Sequence, residues 1–414
     1  MAPVGSYESL MAAIQGGADA VYFGIGKFNM RSRSSQNFTI DDLKKISEIC
    51  KKNNVKTYIT LNTVVYDEEI EDIKKIIDHA AEYNINAIIA SDRAVINYAI
   101  TKKINIHAST QCNISNIEAV KFYAQFSDVV VLARELTLKQ IKSICSIVKK
   151  ENICGPSGKL LRIEAFAHGA LCMAISGKCY LSLDNMNYSA NRGACLQLCR
   201  RIYKVKDTDD GNEFKIDGAY IMSPKDLCTI DFLDKLINAG ISVLKIEGRG
   251  RSPEYVKTAT LCYKEASIAV LNKTYTKERI SLWKEKLNNV YNRGFWEGYY
   301  LGKKIGEWTD RYGSQALTKK VYIGKITNYF TKLKVAEIKI ETGSLSLNDK
   351  IIIIGPTTGV IEINPTEIRV DLLSVNRAEK GTLCSIFIET TVRRADKLYK
   401  IIKAVNDDEP DDQL

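Results

Sequence analysis

The segment "DAVYFGIGKFNMRSRSSQNFTIDDLKKISEICKKNNVKTYITLN", residues 19–62, contains two short runs of β-branched and aromatic residues on either side of an amphipathic stretch. We predict a strand in "DAVYFG" at residues 19–24 and a second strand in "VKTYITLN" at residues 55–62. Between them, "TIDDLKKISEICKKN" predicts a helix with Thr39 as its N-cap. A strand, a helix and another strand in this order form one unit of a parallel sheet.

The same alternation continues along the chain. We predict further strands in "AIIAS", "INIHAST", "DVVVLAR", "LRIEAFAHG" and "SVLKIEG", which begin at residues 87, 104, 128, 161 and 242. Helical stretches separate them, including "SPKDLCTIDFLDKLINAG" at residues 223–240. A helix predicted at residues 6–17 precedes all of these strands, so we expect that a first strand is missing. Counting it gives an α/β fold, a (β/α)8 TIM-like barrel at residues 1–305.

The hydrophobic pattern changes near residue 320. From there onward apolar residues recur with period two, as in "VYIGKITNYF", "KVAEIKIE" and "KIIIIG". Such alternation, with turn residues between short runs, is typical of antiparallel strands. We therefore predict a small antiparallel β-barrel domain at residues 320–403. Residues 404–414 are acidic and predict a disordered tail.

The composition indicates the kind of molecule to expect. The 414 residues, 45% of them hydrophobic, are enough for two domains with a large core. The sequence has no apolar run of membrane-spanning length and no secretory leader, so we expect a cytoplasmic location. In that reducing compartment, the eleven cysteines are not expected to form a disulfide framework. A formal net charge of +10 favours a polyanionic partner such as nucleic acid.

Four cysteines are clustered in a glycine-rich stretch at residues 170–200. Cys172 and Cys179 lie in "HGALCMAISGKCYLS", and Cys195 and Cys199 lie in "NRGACLQLCRRIY". Structural zinc sites prefer pairs two to four residues apart, and only the last pair has that spacing. An iron-sulfur cluster accepts thiolates from an uneven, loop-borne arrangement more readily. The alternative, that cysteines are small buried hydrophobes, is favoured elsewhere, for Cys50, Cys145, Cys154, Cys262 and Cys384.

Polar side chains occur where the predicted strands end, and in a (β/α)8 barrel these ends meet on one face. The residues expected there are Asn62, Ser91, Ser109, Gln111, Arg134, Glu135, His168, Glu247 and Arg249. For His168, a satisfied core histidine and a proton-transfer group are both compatible with the sequence. The sequence contains neither H-E-x-x-H nor G-x-S-x-G, so it has no zincin motif and no nucleophile elbow.

The stretch "EAFAHGALCMAISGKCYLS", residues 164–182, resembles the signature of the collagenase-like peptidase family U32. The segments "GACLQLCRR" and "LKIEGR" also occur where that family has them. Members of the family include tRNA hydroxylation proteins, a 23S rRNA cytidine hydroxylase and ubiquinone hydroxylation proteins. The resemblance is nearest to the RNA hydroxylation proteins. It implies 5-hydroxyuridine formation at the tRNA wobble position, with a 4Fe-4S cluster as cofactor and prephenate as the hydroxyl source.

The resemblance also implies roles for particular residues. The implied cluster ligands are Cys172, Cys179, Cys195 and Cys199, with Cys228 as a competitor for the fourth place. Because arginines bind carboxylates in a bidentate manner, Arg134, Arg192 and Arg249, with Asn62 and Gln111, are the expected binding residues for the small dicarboxylate. The expected catalytic residues are His168, Arg134, Glu135 and Glu247.

The RNA partner and the alternatives complete these expectations. The segments "CRRIYKVK" and "TTVRRADKLYK" mix basic and aromatic residues and are expected to contact tRNA or rRNA. Three alternatives to tRNA hydroxylation stay open: 23S rRNA cytidine hydroxylation, a U32-type peptidase, and a metal-stabilised RNA-binding module without catalysis.

Overall fold

The computed structural model describes residues 1–33, 37–203, 205–206, 213–214, 220–303 and 306–404. Seven strands of a mixed sheet run parallel in chain order: β1 (Ala2–Pro3), β2 (Ala20–Gly24), β3 (Lys56–Leu61), β4 (Ala87–Ala90), β5 (Asn105–Ala108), β6 (Val129–Val131) and β7 (Arg162–Ala170). Strands β8 (Val205–Lys206) and β9 (Glu213–Phe214) form a separate antiparallel pair. The mixed sheet also contains β10 (Asp226–Cys228), β11 (Val243–Ile246) and β12 (Phe295–Trp296).

Helices connect these strands, as the amphipathic stretches predict. They are α1 (Tyr7–Gln15), α2 (Asp42–Lys52), α3 (Ile70–Glu82), α4 (Arg93–Thr101), α5 (Ile117–Ala124), α6 (Leu138–Lys150), α7 (Leu181–Met186), α8 (Leu233–Asn238), α9 (Pro253–Leu271) and α10 (Lys277–Asn288). In α3, the buried residues Ile73, Ile76, Ile77 and Ala80 recur with helical spacing and form the face that packs on the sheet. Across the described ranges, no helix is both long and apolar enough to cross a membrane.

The first strand of the sheet is present, so the prediction of a missing strand is wrong. Ala2 and Pro3 of β1 pair in parallel with Val21 and Tyr22 of β2. Met1 extends this strand, since its amino group donates to Leu244 O at 2.8 Å and its carbonyl accepts from Ile246 N at 3.1 Å. These two bonds make β1 a neighbour of β11. A strand of two residues is too short to show a hydrophobic period, which is why the sequence pattern missed it.

Two local predictions also differ from the structure. The segment at residues 223–240 is predicted as one helix, but it contains the strand β10 before the short helix α8. Cys228 of β10 pairs with His168 of β7, so tertiary pairing overrides the local pattern. The helix α2 has Asp41 as its N-cap rather than Thr39, and Thr39 instead donates to the Asp42 carboxylate.

The region after residue 317 is antiparallel, as predicted. Its strands are β13 (Thr318–Phe330), β14 (Val335–Ile340), β15 (Ser344–Ser346), β16 (Ile351–Gly355), β17 (Gly359–Ile363), β18 (Ile368–Val370), β19 (Leu373–Val375), β20 (Arg377–Glu379), β21 (Leu383–Phe387) and β22 (Lys397–Lys403). One sheet has the order β17-β16-β22-β13-β14-β21-β18-β19, and β15 pairs with β20. The predicted tail at residues 404–414 lies, apart from its first residue, outside the described residues.

The antiparallel sheet packs on the helices that flank β1 and β2. Gln15 of α1 donates to Thr358 O at 2.8 Å and accepts from Val360 N at 2.9 Å. Lys257 of α9 donates to Val360 O at 2.8 Å. Gly359 has a φ of +70°, and a Cβ there would lie 2.5 Å from the Gln15 side chain. A glycine is therefore required for this close contact.

Candidate active site

Several polar residues lie at the edge of the sheet where the parallel strands end. Asn62 follows β3, Gln111 follows β5, Arg134 follows β6 and Glu247 follows β11, while His168 lies near the end of β7. Parallel strands end at the same edge, so these residues come from distant parts of the sequence to one side of the molecule. Asn62 and Gln111 line one cavity and Glu247 lines another, whereas Arg134 and His168 line neither of the two.

The smaller one, here called the arginine cavity, has a volume of about 60 Å³. Its lining residues are Arg31, Ala170, Gln197, Glu247, Gly248, Gly250, Arg251 and Arg293. Arg31 binds Glu247 through two nitrogens, at 3.1 Å and 3.0 Å. Burial alone would raise the pKa of Glu247, but the charges of Arg31, Arg251 and Arg134 hold that pKa below its ordinary value. Glu247 is therefore a carboxylate at neutral pH.

A second buried carboxylate lies beside this cavity. Asp226 is 1% exposed, and its oxygens lie 3.6 Å from Arg251 and 3.5 Å from Arg293. Within the described part of the chain, Asp226 Oδ1 and Arg293 Nη1 are buried and make no hydrogen bond. Three arginines therefore face two carboxylates, and the Arg293 nitrogen that lies 3.5 Å from Asp226 makes no hydrogen bond. This charge balance favours a small anion in the arginine cavity.

The arginines predicted from the sequence occupy three different environments. Arg134 donates to Ser176 Oγ at 2.7 and 3.1 Å and to Ala170 O at 3.3 Å. Arg249 is buried and donates to Thr60 Oγ1 at 2.9 Å, and burial lowers its pKa to about 10.

None of the three predicted arginines, Arg134, Arg192 or Arg249, is among the residues that line the arginine cavity. Arg192 lies elsewhere. It pairs with Glu69 at 2.7 Å and lies 3.8 Å above the ring of Tyr66.

His168 and Glu135 differ strongly in their surroundings. His168 is 1% exposed and packs against the rings of Tyr255, Tyr263 and Phe295. Burial and the charge of Arg251 lower the pKa of His168 to about 3, so its ring is neutral at physiological pH. Glu135 is exposed to solvent.

Two hydrogen bonds link the segments that carry the four clustered cysteines in pairs. Arg200, next to Cys199, donates to Leu171 O, next to Cys172, at 2.7 Å. Leu196 N, next to Cys195, donates to Ser182 Oγ at 3.1 Å, three residues beyond Cys179. All four side chains are free thiols, with Cys172 exposed and the other three partly exposed.

The thiols also influence one another electrostatically. Burial raises the pKa of Cys199 to about 11, and the thiols of Cys172, Cys195 and Cys179 add to this increase. In the part of the chain that the structure describes, no three His, Cys, Asp or Glu side chains are close enough together to hold a single metal ion. Four neighbouring thiols nevertheless fit, by number and type, a 4Fe-4S cluster, whose ligands surround a wider body than one ion.

Cys228 lies apart from this group. It belongs to β10 rather than to a loop, it is buried, and its sulfur accepts from Tyr263 Oη at 3.7 Å.

Arg200 also differs from its predicted role as an RNA contact. It is largely buried and donates to Ser223 and Pro224 as well as to Leu171. Of the remaining residues of "CRRIYKVK", residue 204 lies outside the described residues, and residues 205 and 206 are described only as the backbone of β8.

The larger of the two cavities at this edge of the sheet, here called the amide cavity, has a volume of about 430 Å³. Its lining residues are Met30, Asn62, Thr63, Val64, Ser91, Asp92, Arg93, Gln111, Ser176, Gly177, Lys178 and Asn191. Asn62 Nδ2 donates to Gln111 Oε1 at 2.9 Å, and Met30 N donates to Asn62 Oδ1 at 3.3 Å. The predicted residues Asn62 and Gln111 therefore line a different cavity from Glu247.

A sequence model of Peptidase family U32 matches residues 5–310. The chain belongs to peptidase family U32. A protein named collagenase from Porphyromonas gingivalis is 58% identical over 403 residues, 97% of this chain and 97% of that protein. A tRNA hydroxylation protein from Bacillus subtilis is 33% identical over 341 residues, 80% of this chain and 77% of that protein. A 23S rRNA 5-hydroxycytidine synthase from Escherichia coli is 37% identical over 263 residues, 63% of this chain and 37% of that protein.

Sequence reasoning missed several residues of this U32 site. Arg251, Arg293 and Asp226 line or border the arginine cavity, and Ser176 and Asn191 line the amide cavity. A signal was present for Arg251, which follows Arg249 by two residues in "EGRGRS". For Arg293, in "YNRGFW", the sequence holds no such signal, because its position depends on the contact between β10 and β12.

Proposed function

We propose that this protein is an iron-sulfur RNA hydroxylase on a (β/α)8 barrel, which forms 5-hydroxyuridine at the tRNA wobble position in the cytoplasm. The observation that carries the proposal is the group of four neighbouring thiols beside an arginine-rich cavity. Cys172, Cys179, Cys195 and Cys199 would hold a 4Fe-4S cluster, which when bound supplies electron transfer. Two relatives are named for RNA hydroxylation, which supports the same activity.

The arginine cavity suits part of a small dicarboxylate. A volume of about 60 Å³ has space for one carboxylate group. Arg251 and Arg293 would bind this group, and Arg31, which Glu247 holds in place, would fix its orientation. The remainder of the molecule would extend toward Gln197 and the cysteines. We propose prephenate as this dicarboxylate and as the hydroxyl source.

Two other activities are alternatives to this proposal. Cytidine hydroxylation in 23S rRNA, for which one relative is named, would use the same parts of the site and would differ in the RNA that is bound. Peptidase activity is favoured by the 58% identity to a protein named collagenase. Against it, burial lowers the pKa of His168 to about 3 and that of His107 well below its ordinary value, which makes both rings weak bases. His79 lies on α3, so the histidines supply no effective general base at the candidate site.

The test combines anaerobic purification with RNA analysis. We expect the purified protein to show a broad visible absorption band and about four irons per chain. RNA from a strain lacking the gene should lose one hydroxylated pyrimidine in mass spectrometry, and the gene should restore it. A colourless protein with unchanged RNA in the deletion strain would contradict the proposal. Cleavage of collagen by the same preparation, abolished by a site variant, would establish the peptidase alternative.

A further inference from the structure

The amide cavity differs chemically from the arginine cavity at the same edge of the sheet. Its walls carry neutral amide and hydroxyl groups beside three charged residues, Asp92, Arg93 and Lys178. The neutral groups belong to Asn62, Ser91, Gln111, Ser176 and Asn191. We infer that this cavity binds a single unstacked pyrimidine base of the RNA substrate. This inference rests on the proposed RNA hydroxylation and names the part of the site that reads the RNA. A volume of about 430 Å³ lies within the usual range for small-ligand sites.

An acceptor is available on one wall. Asn191 Oδ1 is buried and makes no hydrogen bond with the described part of the chain. The backbone at this position is fixed, because Val64 N donates to Asn191 O at 3.1 Å. A buried acceptor without a partner in the protein is unfavourable, so a ligand N–H group that reaches it gains a hydrogen bond.

A donor is available on another wall. Gln111 Oε1 accepts from both Asn62 and Ser109, which fixes the orientation of the amide. Its Nε2 group makes no hydrogen bond to any described residue. Uracil and cytosine each carry an N–H group beside an acceptor on the edge that pairs with other bases. An acceptor and a donor held on two walls match that edge, and extruded bases are read in this way.

The amide cavity is connected to the other parts of the site. Arg134 donates to Ser176, which lines the amide cavity, and to Ala170, which lines the arginine cavity. Cys172 lies in the chain between these two residues. Arg93 and Lys178 are exposed cations among the lining residues, where they suit the phosphates on either side of an extruded base. Base, thiols and anion would thus meet at one place.

The experiment measures recognition of the base separately from catalysis. Protein purified anaerobically is titrated with an anticodon stem-loop RNA that carries a wobble uridine, and with the same RNA lacking only that base. We expect wild type to bind the intact RNA about tenfold more tightly, as two additional hydrogen bonds predict. In the double variant Asn191→Ala, Gln111→Ala, the preference should disappear, while affinity for the abasic RNA stays within about twofold, because phosphate contacts set it.

A control variant and an iron measurement keep the result interpretable. Asn185→Ala removes an exposed amide on α7 outside the amide cavity, and it should retain the preference for the intact RNA. The iron content of the double variant should equal that of wild type. If wild type binds both RNAs equally, or if the double variant keeps the preference, the inference is overturned.

Failure of the inference can be told from failure of the proposed function. If the deletion strain loses no RNA hydroxylation, the proposed function is wrong, and so is the inference that the amide cavity binds a base of the substrate. If the deletion strain loses hydroxylation, and the double variant restores it fully and still prefers the intact RNA, only the inference that the amide cavity binds the base is overturned.

Discussion

At the scale of single residues, burial determines the charge state of His168. Its imidazole lies among three aromatic rings whose centroids are 5.3 to 5.9 Å away, and its Nδ1 is 3.4 Å from Tyr263 Oη. These neighbours offer no carboxylate that would stabilise a positive charge. The folded pKa of about 3 lies below the ordinary value of 6.5, so the folded protein keeps this ring neutral where the unfolded chain protonates it.

This difference in pKa predicts a pH-dependent stability. The contribution of His168 is complete above pH 6.5, and it is lost as the pH falls from 6.5 toward 3, because only the unfolded state binds the proton. The measurement is urea unfolding of wild type and of His168→Phe between about pH 7.5 and about pH 5. Below pH 6.5, the free energy of unfolding of wild type should fall more steeply than that of the variant, by about 1.4 kcal/mol per pH unit. Parallel curves for the two proteins would show that His168 has the same pKa in the folded and the unfolded state.

At the scale of elements, the sequence predicts strands with long apolar runs and fails where pairing alone creates the strand. The segments that became β2 to β7 and β11 contain β-branched residues in sufficient number to be recognised. The two residues of β1, and Asp226–Cys228 in a segment of helical pattern, become strands only through their neighbours. The position of Arg293 depends on the pairing of β10 with β12, and that of Asn191 on a backbone hydrogen bond from Val64, so the local sequence pattern could not indicate either.

The cysteine loop gives a prediction at this scale. Cys199→Ser should remove most of the iron and of the visible absorption from anaerobically purified protein, because it removes one of the four neighbouring thiols. Cys228→Ser should leave iron content within about a fifth of the wild-type value, since that thiol is buried in β10 against Tyr263. Iron analysis and circular dichroism of both variants make the comparison. Loss of iron in Cys228→Ser alone, with intact secondary structure, would assign the fourth ligand to Cys228.

At the scale of the whole molecule, the antiparallel sheet and the parallel sheet form a continuous structure. Gln15 holds β17 by two hydrogen bonds to its backbone, and Lys257 adds a third. Val360 of β17 belongs to the same buried apolar cluster as Leu10 of α1 and Val256 of α9, so the antiparallel sheet packs against both helices. The spacing of apolar residues predicted both the parallel and the antiparallel region, but it did not predict the surface on which the two regions meet.

The contact predicts a measurable coupling between the two regions. Gln15→Ala leaves Val360 N and Thr358 O without their partner and should lower the free energy of unfolding by about 1–2 kcal/mol. It should also increase the rate of proteolysis between residues 306 and 317. Gln125→Ala, at the exposed C-cap of α5, is the matched control and should change neither quantity appreciably. Equal effects of the two variants would mean that the contact contributes nothing specific.

The position of Arg134 has a thermodynamic consequence for the two proposed ligands. One guanidinium holds a wall of each cavity, so any movement of it that an anion induces also moves Ser176 beside the base. Binding of the two ligands is then linked, and linkage is reciprocal. Whatever factor the small acid applies to the affinity for RNA, RNA must apply to the affinity for the acid. Cells short of the acid would therefore also change how tightly the protein holds its RNA, before any turnover takes place.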